Sequence, residues 1–228
     1  MGSVTSRRII EPQIGAKLLT LNYTESQPPA EFAQHVHDRS DDNIILLQGQ
    51  ADLRQGATRT PFHAGQCAFV PAGQIHGTIT TASDTVMISF QVPPDLALYT
   101  GARDSSRPGA APPKGKITPG AVKFVDFAQH NGIFLGPEMG ATRATAAHRR
   151  LHPGEAFPMS LARGTEGLIF VWKGAILSVV GRSAEGRRVL AANEKDTIFL
   201  SGPVRLTVSN PGPAQAIVFQ VQTVPPRQ

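Results

Sequence analysis

Apolar residues in this chain fall into short runs that turn-forming residues separate. The runs are rich in β-branched and aromatic residues and are bounded by Gly, Pro, Asn or Asp, which is typical of β-strands. The predicted strand runs are 43–53, 66–71, 85–92, 168–180, 197–202 and 204–209. Helical periodicity is scarce, and Gly and Pro total 41 residues (22 plus 19). Many short strands with little helix predict an all-β protein built as a sandwich or as barrels.

The stretch 101–120 separates two groups of predicted strands and is dense in Gly, Pro and Ser. Such a composition supplies no core and is typical of a linker or a long connection. The sequence therefore predicts an N-terminal barrel over residues 1–100, a linker over 101–120 and a C-terminal barrel over 121–228.

The two groups of strands resemble each other when one is written under the other. A shift of 125 residues aligns Gly49 with Gly174, and a shift of 130 aligns Phe69 with Phe199. The change between the shifts places a five-residue lengthening around 181–188, at the expected tip of a hairpin, where insertions are tolerated. We therefore expect a duplicated β unit.

Hydropathy, charge and cysteine content limit the classes of function that the chain can have. Mean hydropathy is −0.12, and no apolar run approaches the ~20 residues of a membrane-spanning helix. The net charge is +5, but the basic residues are scattered and aromatic residues make up only 6% of the chain, which argues against a nucleic-acid surface. The N-terminus lacks the apolar region of a secretory signal. The single cysteine, Cys67, is expected in the core and fits a reducing compartment.

These properties predict a cytoplasmic protein that acts on a small molecule, with neither a nucleic-acid nor a membrane partner. Either a monomer or a homodimer is compatible with the sequence.

Three histidines and an aspartate have the spacing of a metal site. The pattern is His35-x-His37-x4-Asp42-x6-Gly49, followed by Gly65-x5-Pro71-x-Gly73-x2-His76. Residues i and i+2 of a strand share a face, so His35 and His37 can project into one barrel. Three imidazoles and a carboxylate suit divalent Fe, Mn, Ni, Cu, Co or Zn and leave positions open for substrate or water. The predicted ligands are His35, His37, Asp42 and His76; the histidines expected to take no part are His63, His130, His148 and His152.

The motifs resemble those of the cupin superfamily, G-x5-H-x-H-x3,4-E-x6-G and G-x5-P-x-G-x2-H-x3-N. The second matches from Gly65 to His76, and the first matches at both histidines and at Gly49. The departures from the family pattern are Pro29 for the leading glycine, Asp42 for Glu and Thr80 for the final Asn. The resemblance covers both halves and implies a bicupin, two jelly-roll barrels in one chain.

The carboxylate position has open alternatives. Aspartate is one methylene shorter than glutamate, about 1.5 Å in reach, so Asp42 either ligates directly, ligates through a water or only orients a histidine. Neighbouring strand residues face opposite ways, so one of Asp41 and Asp42 points inward. The preserved spacing to Gly49 favours Asp42.

The second half lacks ligand side chains where the shifts place them. The corresponding residues are Ser160, Ala162, Gly167 and Leu206. We expect the C-terminal barrel to keep the architecture and to bind no metal.

For function, the resemblance implies a metal-dependent enzyme, with a dioxygenase-like oxidoreductase and iron as the leading hypothesis. The alternatives are a non-catalytic cupin that binds a metal or small ligand, and an isomerase or lyase that uses the metal as a Lewis acid. Apolar residues expected to face inward along 43–49 and 85–92 favour a substrate with an apolar body that chelates through oxygen atoms. The candidates to steer an anion are Gln48, Gln91, Arg54 and Arg59.

Overall fold

The computed structural model of the chain describes residues 2–99, 114–181 and 188–225. Contacts between Cα atoms divide the chain into two compact units, Met1–Phe127 and Ala128–Gln228. Strands dominate both units, and the described α-helix is a single turn, α1 (Leu96–Tyr99). The 3-10 turns are Pro12–Ile14, Phe127–Gln129 and Pro137–Met139.

The first unit is built from antiparallel strands in two sheets. Its strands are β1 (Val4–Ile10), β2 (Thr20–Ser26), β3 (Ala30–His35), β4 (Asp41–Gln48), β5 (Gln50–Gln55), β6 (Thr58–His63), β7 (Gln66–Val70), β8 (His76–Thr80), β9 (Thr85–Val92) and β10 (Lys123–Asp126). One sheet has the order β1-β2-β9-β4-β7-β10 and the other β3-β8-β5-β6. Sheets whose neighbours are distant in sequence, closed over one interior, form a jelly roll.

The second unit repeats this arrangement. Its strands are β11 (Gly132–Leu135), β12 (Ala144–Leu151), β13 (Ala156–Leu161), β14 (Glu166–Lys173), β15 (Ala175–Val180), β16 (Arg188–Asn193), β17 (Thr197–Ser201), β18 (Val204–Ser209) and β19 (Ala216–Thr223). The sheet orders are β11-β12-β19-β14-β17 and β13-β18-β15-β16. Adding ten to each strand number of the first unit gives the second, apart from β10. The predicted fold class, all-β with two cupin-type jelly rolls and little helix, is confirmed.

Two predicted strand runs are each divided at a glycine. Gly49 directly follows β4 and Gly174 directly follows β14, and their φ angles are +82° and +76°. These left-handed values favour glycine, because other L-residues adopt them only under strain. The runs 43–53 and 168–180 therefore turn a corner from one sheet of the jelly roll to the other.

The interiors of the two units differ in content. The first barrel contains an apolar cluster of Ile44, Leu46, Ala51, Leu53, Phe62, Ala68, Val70 and Met87. The second barrel contains a larger set: Leu151, Phe157, Met159, Leu161, Ile169, Val171, Ile176, Ala192, Ile198, Leu206, Val208, Ala216 and Val218. Burial of these apolar side chains is the main favourable contribution to the stability of both barrels.

The described part of the predicted linker is bonded to the first unit. Lys116 donates its N–H to the carbonyl of Gly73 and accepts a bond from the N–H of Ile75, both at 2.8 Å. Strand β10, which the sequence placed in the C-terminal barrel, pairs with β7. Residues 101–113 of the linker and 182–187 of the predicted hairpin tip lie outside the described residues. In the part of the chain that is described, no helix is long and apolar enough to span a membrane.

Candidate metal centre

A β-bulge sets the direction of the first histidine. Strand β3 pairs with β8, and the register shifts between Phe32, opposite Thr78, and His35, opposite His76. One extra residue in a strand re-aims the side chains that follow it. At Gly77, facing the bulge, an added Cβ would lie 2.6 Å from the carbonyl oxygen of Phe32. Glycine at this position therefore leaves room for the backbone of the bulge.

The structure brings together the four side chains that the sequence predicted as ligands. His35, His37, Asp42 and His76, called the candidate centre below, each offer one ligand atom within 4.8 Å of all the others. An Asp42 Oδ2 atom lies 3.2 Å from His76 Nε2 and 3.6 Å from His37 Nε2. His37, Asp42 and His76 are buried, and His35 is half-buried. The three imidazoles come from one sheet or the loop after it, and the carboxylate comes from the facing sheet.

Each imidazole is anchored through Nδ1. His35 Nδ1 lies 2.9 Å from the carbonyl oxygen of Ala33, and His76 Nδ1 lies 3.1 Å from that of Gln74. Because a carbonyl oxygen only accepts, both Nδ1 atoms carry the proton. His37 Nδ1 donates to the carboxylate of Asp95 at 3.0 Å. All three Nε2 atoms are therefore left to face the centre, the arrangement that histidine ligands of metals adopt.

Asp42, rather than Asp41, faces the candidate centre. Asp41 Oδ1 accepts a hydrogen bond from the N–H of Ala72 at 3.0 Å. Asp42 approaches the Nε2 atoms and not the Nδ1 atoms, so it does not serve as the carboxylate that orients a histidine. Its Oδ1 is buried and has no hydrogen-bond partner among the described residues. A buried carboxylate oxygen without a donor requires a compensating charge, and three neutral nitrogens with one carboxylate fit a divalent transition metal.

Electrostatics within the centre are strongly perturbed. Burial, reinforced by His76 and His37, lowers the pKa of His35 to about 3. Burial also disfavours charge on His37, but hydrogen bonding to Asp42 and Asp95 outweighs it and raises the pKa to about 9. Burial alone would raise the pKa of the Asp42 carboxyl. The contacts with His37 and His76 outweigh this effect and hold the pKa well below its usual range. Without metal, a protonated His37 thus balances the charge of Asp42.

Two supporting residues were not predicted from the sequence in these roles. Asp95 follows β9 by three positions, is buried, and orients His37 from a distance of 58 residues in sequence. Gln74 in the turn before His76 exchanges two hydrogen bonds with Thr118, at 2.9 and 3.2 Å. Only the polarity of these residues is visible in the sequence; their proximity to the histidines arises from the folded chain.

Of the four candidates for anion steering, one lies at the centre. Gln91 is buried, and its amide nitrogen lies 3.2 Å from His37 Nε2. Gln48 is exposed and donates to the carbonyl of Asp84, Arg54 pairs with Glu31 at 2.6 Å, and Arg59 is exposed. Cys67 is fully buried, as predicted, and burial raises the pKa of its thiol.

In the second unit, the positions given by the shifts are occupied by small or apolar residues. Ser160 and Ala162 are exposed, whereas Met159 and Leu161 point into the apolar cluster. Strands β13 and β18 pair in regular register, with Met159 opposite Leu206. Because β13 has no bulge, its inward-facing residues lie one position earlier than the constant shift from β3 indicates. The shift aligns His35 with Ser160, but the residue opposite Leu206 is Met159.

Comparisons with known proteins agree with this geometry. Residues 22–91, which include the candidate centre, match the cupin domain family. No curated protein matches the sequence. Among solved structures, the chain is similar to the Bacillus subtilis oxalate decarboxylase studied for its Mn(II) centres, with a TM-score of 0.70 and 12% identity over 96% of this chain and 72% of that chain. The Lactobacillus farciminis oxalate decarboxylase in complex with formate gives a TM-score of 0.70 and 14% identity, over 96% and 81%.

At such identities the similarity between structures shows the fold alone. The sequence match is independent of it and covers the strands that carry the four clustered side chains. The first unit therefore contains a cupin domain with a candidate metal site, and the chain has the jelly-roll fold of the cupins.

Proposed function

We propose that this chain is a metal-dependent enzyme of bicupin type that acts on a small organic substrate able to chelate the metal through oxygen atoms. The observation that carries the proposal is the convergence of three imidazole Nε2 atoms on the carboxylate of Asp42, with every Nδ1 already bonded elsewhere. A structural core would not gather three imidazole nitrogens and an unpartnered carboxylate oxygen, because such groups are costly to bury without a cation.

The candidate centre would hold the ion through three Nε2 atoms and one carboxylate. Bound there, a divalent transition metal supplies Lewis acidity and, for iron, one-electron chemistry with dioxygen. We place iron first, and Mn(II) next because of the fold similarity to oxalate decarboxylases. The Nδ1 anchors fix the direction of each imidazole before the ion binds, which reduces the cost of assembling the site.

The interior beside the centre favours an apolar substrate body. Ile44 and Leu46 lie on the same face of β4 as Asp42, and Val70 is opposite Asp42 on β7. These apolar side chains exclude water and carry no charge. The metal and the polar residues around it would therefore select the charge of the substrate. His35 is the half-buried member of the centre and marks the side from which a substrate approaches.

Dioxygenase chemistry, in which both atoms of O2 enter the organic substrate, is the reaction we place first. It requires a substrate that chelates the metal away from bulk water, and the buried apolar side chains beside the centre suit that requirement. Decarboxylation is the second candidate, favoured by the fold similarity to oxalate decarboxylases. That reaction releases CO2 and places a proton on the remaining carbon, without net oxidation.

The test begins with metal analysis of protein purified without chelators. Iron- and manganese-loaded protein is then assayed with enolisable, catecholic and dicarboxylate substrates while O2 uptake and CO2 release are recorded. We expect metal-dependent turnover that is lost, together with the metal, in His76→Ala. The matched control is His63→Ala, which removes an exposed histidine.

Full activity in metal-free His76→Ala protein would contradict the proposal. O2 uptake supports the dioxygenase, and CO2 release without O2 uptake supports the decarboxylase. Stoichiometric metal binding without turnover of any substrate class would instead indicate a binding protein.

A further inference from the structure

Gln91 lies beside the candidate centre on the strand next to Asp42. In the sheet, Gln91 of β9 is directly opposite Asp42 on one side and Thr20 on the other. Directly opposed residues of antiparallel strands project from the same face, so Gln91 points into the barrel as Asp42 does. Its side chain is 2% exposed.

The amide of Gln91 has one described polar neighbour. Its nitrogen lies 3.2 Å from His37 Nε2, while Oε1 is buried without a hydrogen-bond partner among the described residues. The two residues opposite Gln91 do not supply the missing hydrogen bond, because Asp42 Oδ1 and Thr20 Oγ1 are themselves buried without a partner among the described residues. The Gln91 amide is therefore not committed to holding the barrel together.

Metal binding would leave the amide nitrogen without an acceptor. His37 Nε2 is the atom through which His37 would hold an ion, and neither a metal-bound nor a protonated Nε2 accepts a hydrogen bond from the amide. A buried primary amide without partners is unfavourable and rare in native proteins. A group of the substrate at the neighbouring open position can supply the partner, and an oxygen anion is the acceptor that an amide N–H binds most strongly.

We propose that Gln91 is a substrate-positioning residue whose amide donates a hydrogen bond to an anionic oxygen of the substrate held next to His37. This inference rests on the proposed function and adds to it the chemistry that the centre selects: an oxygen anion adjacent to a second, chelating oxygen. The rival role is that of a fifth metal ligand through Oε1, and the two roles differ in their effect on metal affinity.

The experiment uses the full chain loaded with Zn(II), which avoids redox chemistry. Acetohydroxamate, an anionic chelator with two oxygens, is titrated calorimetrically into the wild type, Gln91→Leu and Gln91→Glu. Imidazole, which offers no oxygen, serves as a second probe, and Zn(II) affinity is measured by competition with a chromophoric chelator. Gln222→Leu is the matched control, because Gln222 of β19 lies opposite Thr145 and Gly167 in the corresponding row of the second barrel.

We expect Gln91→Leu to weaken acetohydroxamate binding roughly tenfold or more, the usual effect of losing a hydrogen bond to a charged group. Gln91→Glu, which keeps the shape and adds a negative charge, should weaken it further. Imidazole binding and Zn(II) affinity should change less than about threefold in Gln91→Leu, and Gln222→Leu should match the wild type in every titration.

A loss of Zn(II) affinity of more than tenfold in Gln91→Leu would overturn the proposal in favour of a metal ligand. Unchanged acetohydroxamate binding, or equal losses for both probes, would overturn it in favour of a structural role. A wild-type chain that binds no Zn(II), Fe(II) or Mn(II) would instead overturn the proposed function, and this inference with it.

Discussion

The anchoring of the imidazoles decides what the candidate centre can bind. His35 and His76 each use the carbonyl two residues earlier in the chain, so their direction is fixed locally. His37 differs, because its anchor is the side chain of Asp95. Its raised pKa means that a proton occupies the centre at neutral pH, and a metal ion has to displace it.

The first prediction concerns the pH dependence of metal binding. Because His37 is protonated below a pKa of about 9 and must be neutral to ligate, apparent Zn(II) affinity should rise about tenfold per pH unit from pH 6 to 8.5. His35 adds no proton, since its pKa of about 3 leaves it neutral throughout this range. Competition titrations measure the affinity, and calorimetry in buffers of different ionisation enthalpy counts the released proton. An affinity that is flat over this range would contradict the assignment.

The second prediction concerns Asp95. Replacing it with Leu removes the acceptor of His37 Nδ1 and should lower metal affinity roughly 10- to 100-fold, the usual effect of losing a partner of a ligating histidine. Asp95→Asn retains an oxygen acceptor and should lose less. Both changes remove a negative charge that raises the pKa of His37, so the pH profile should move to lower pH. Asp52→Asn in β5 serves as the control, and equal affinities for Asp95→Leu and Asp52→Asn would refute the role.

The four side chains of the centre were predictable because their spacing is recorded in sequence. Asp95 was not predictable in its role, since it reaches His37 across 58 residues and only the fold brings the two together. Gln91 was one of four candidates for steering an anion, and only the fold distinguishes it from the other three. The sequence limited the carboxylate to Asp41 or Asp42, and the pleat of β4 turns Asp42 inward.

At the scale of elements, the β3–β8 pair distinguishes the two barrels. The first barrel has a bulge between Phe32 and His35, with Gly77 facing it, whereas β13 and β18 are regular. In the second barrel the position that corresponds to Gly77 is Thr207 of β18, which carries a side chain and lies opposite Pro158 of β13. Glycine is needed only where the partner strand approaches closely.

The third prediction is that Gly77→Ala damages both the fold and the site. The new Cβ would meet backbone atoms of the bulge, which can relieve the conflict only by moving. We expect a loss of about 1–3 kcal/mol in unfolding free energy and a decrease in metal affinity greater than tenfold, because His35 moves with the bulge. Denaturant unfolding and competition titration measure the two effects. Gly132→Ala is the control, since a Cβ there meets no atom within 4 Å.

The sequence predicted well where strands form, but it did not predict the register in which neighbouring strands pair. The six predicted runs all contain strands, and β9 and β18 have the predicted limits, 85–92 and 204–209. A one-residue bulge leaves no mark in the apolar pattern of so short a strand. The alignment by a constant shift therefore paired His35 with Ser160, although Met159 faces Leu206.

At the scale of the whole molecule, the two barrels share a strand order but differ in their interiors. The first combines an apolar cluster with a polar centre, and the second carries an apolar cluster into the corresponding region. Metal binding should therefore stabilise the first unit only, by mass action on its folded state.

The fourth prediction is a stoichiometry of one metal ion per chain. Elemental analysis should give a single ion, and metal at about 100 times Kd should stabilise the first unit by about 2.7 kcal/mol. Calorimetric scans with and without metal should show a shift in one transition that His76→Ala abolishes. Two ions per chain, or a shift that survives His76→Ala, would contradict the account.

The regular register of β13 and β18 also has a consequence for engineering. Grafting histidines at Ser160 and Ala162, which the shift aligns with His35 and His37, would not recreate the centre, because both are exposed and the inward-facing residues of β13 are Met159 and Leu161. A carboxylate at Gly167 would in addition collide with Met159 and Leu161, since a Cβ there already lies within 2.9 Å of both side chains. Converting the second barrel therefore requires ligands at the inward-facing positions 159, 161 and 206, or an extra residue in β13, together with room for a side chain at residue 167. The two halves of this chain thus differ by a bulge in the pairing of one strand as well as by the chemistry of its side chains.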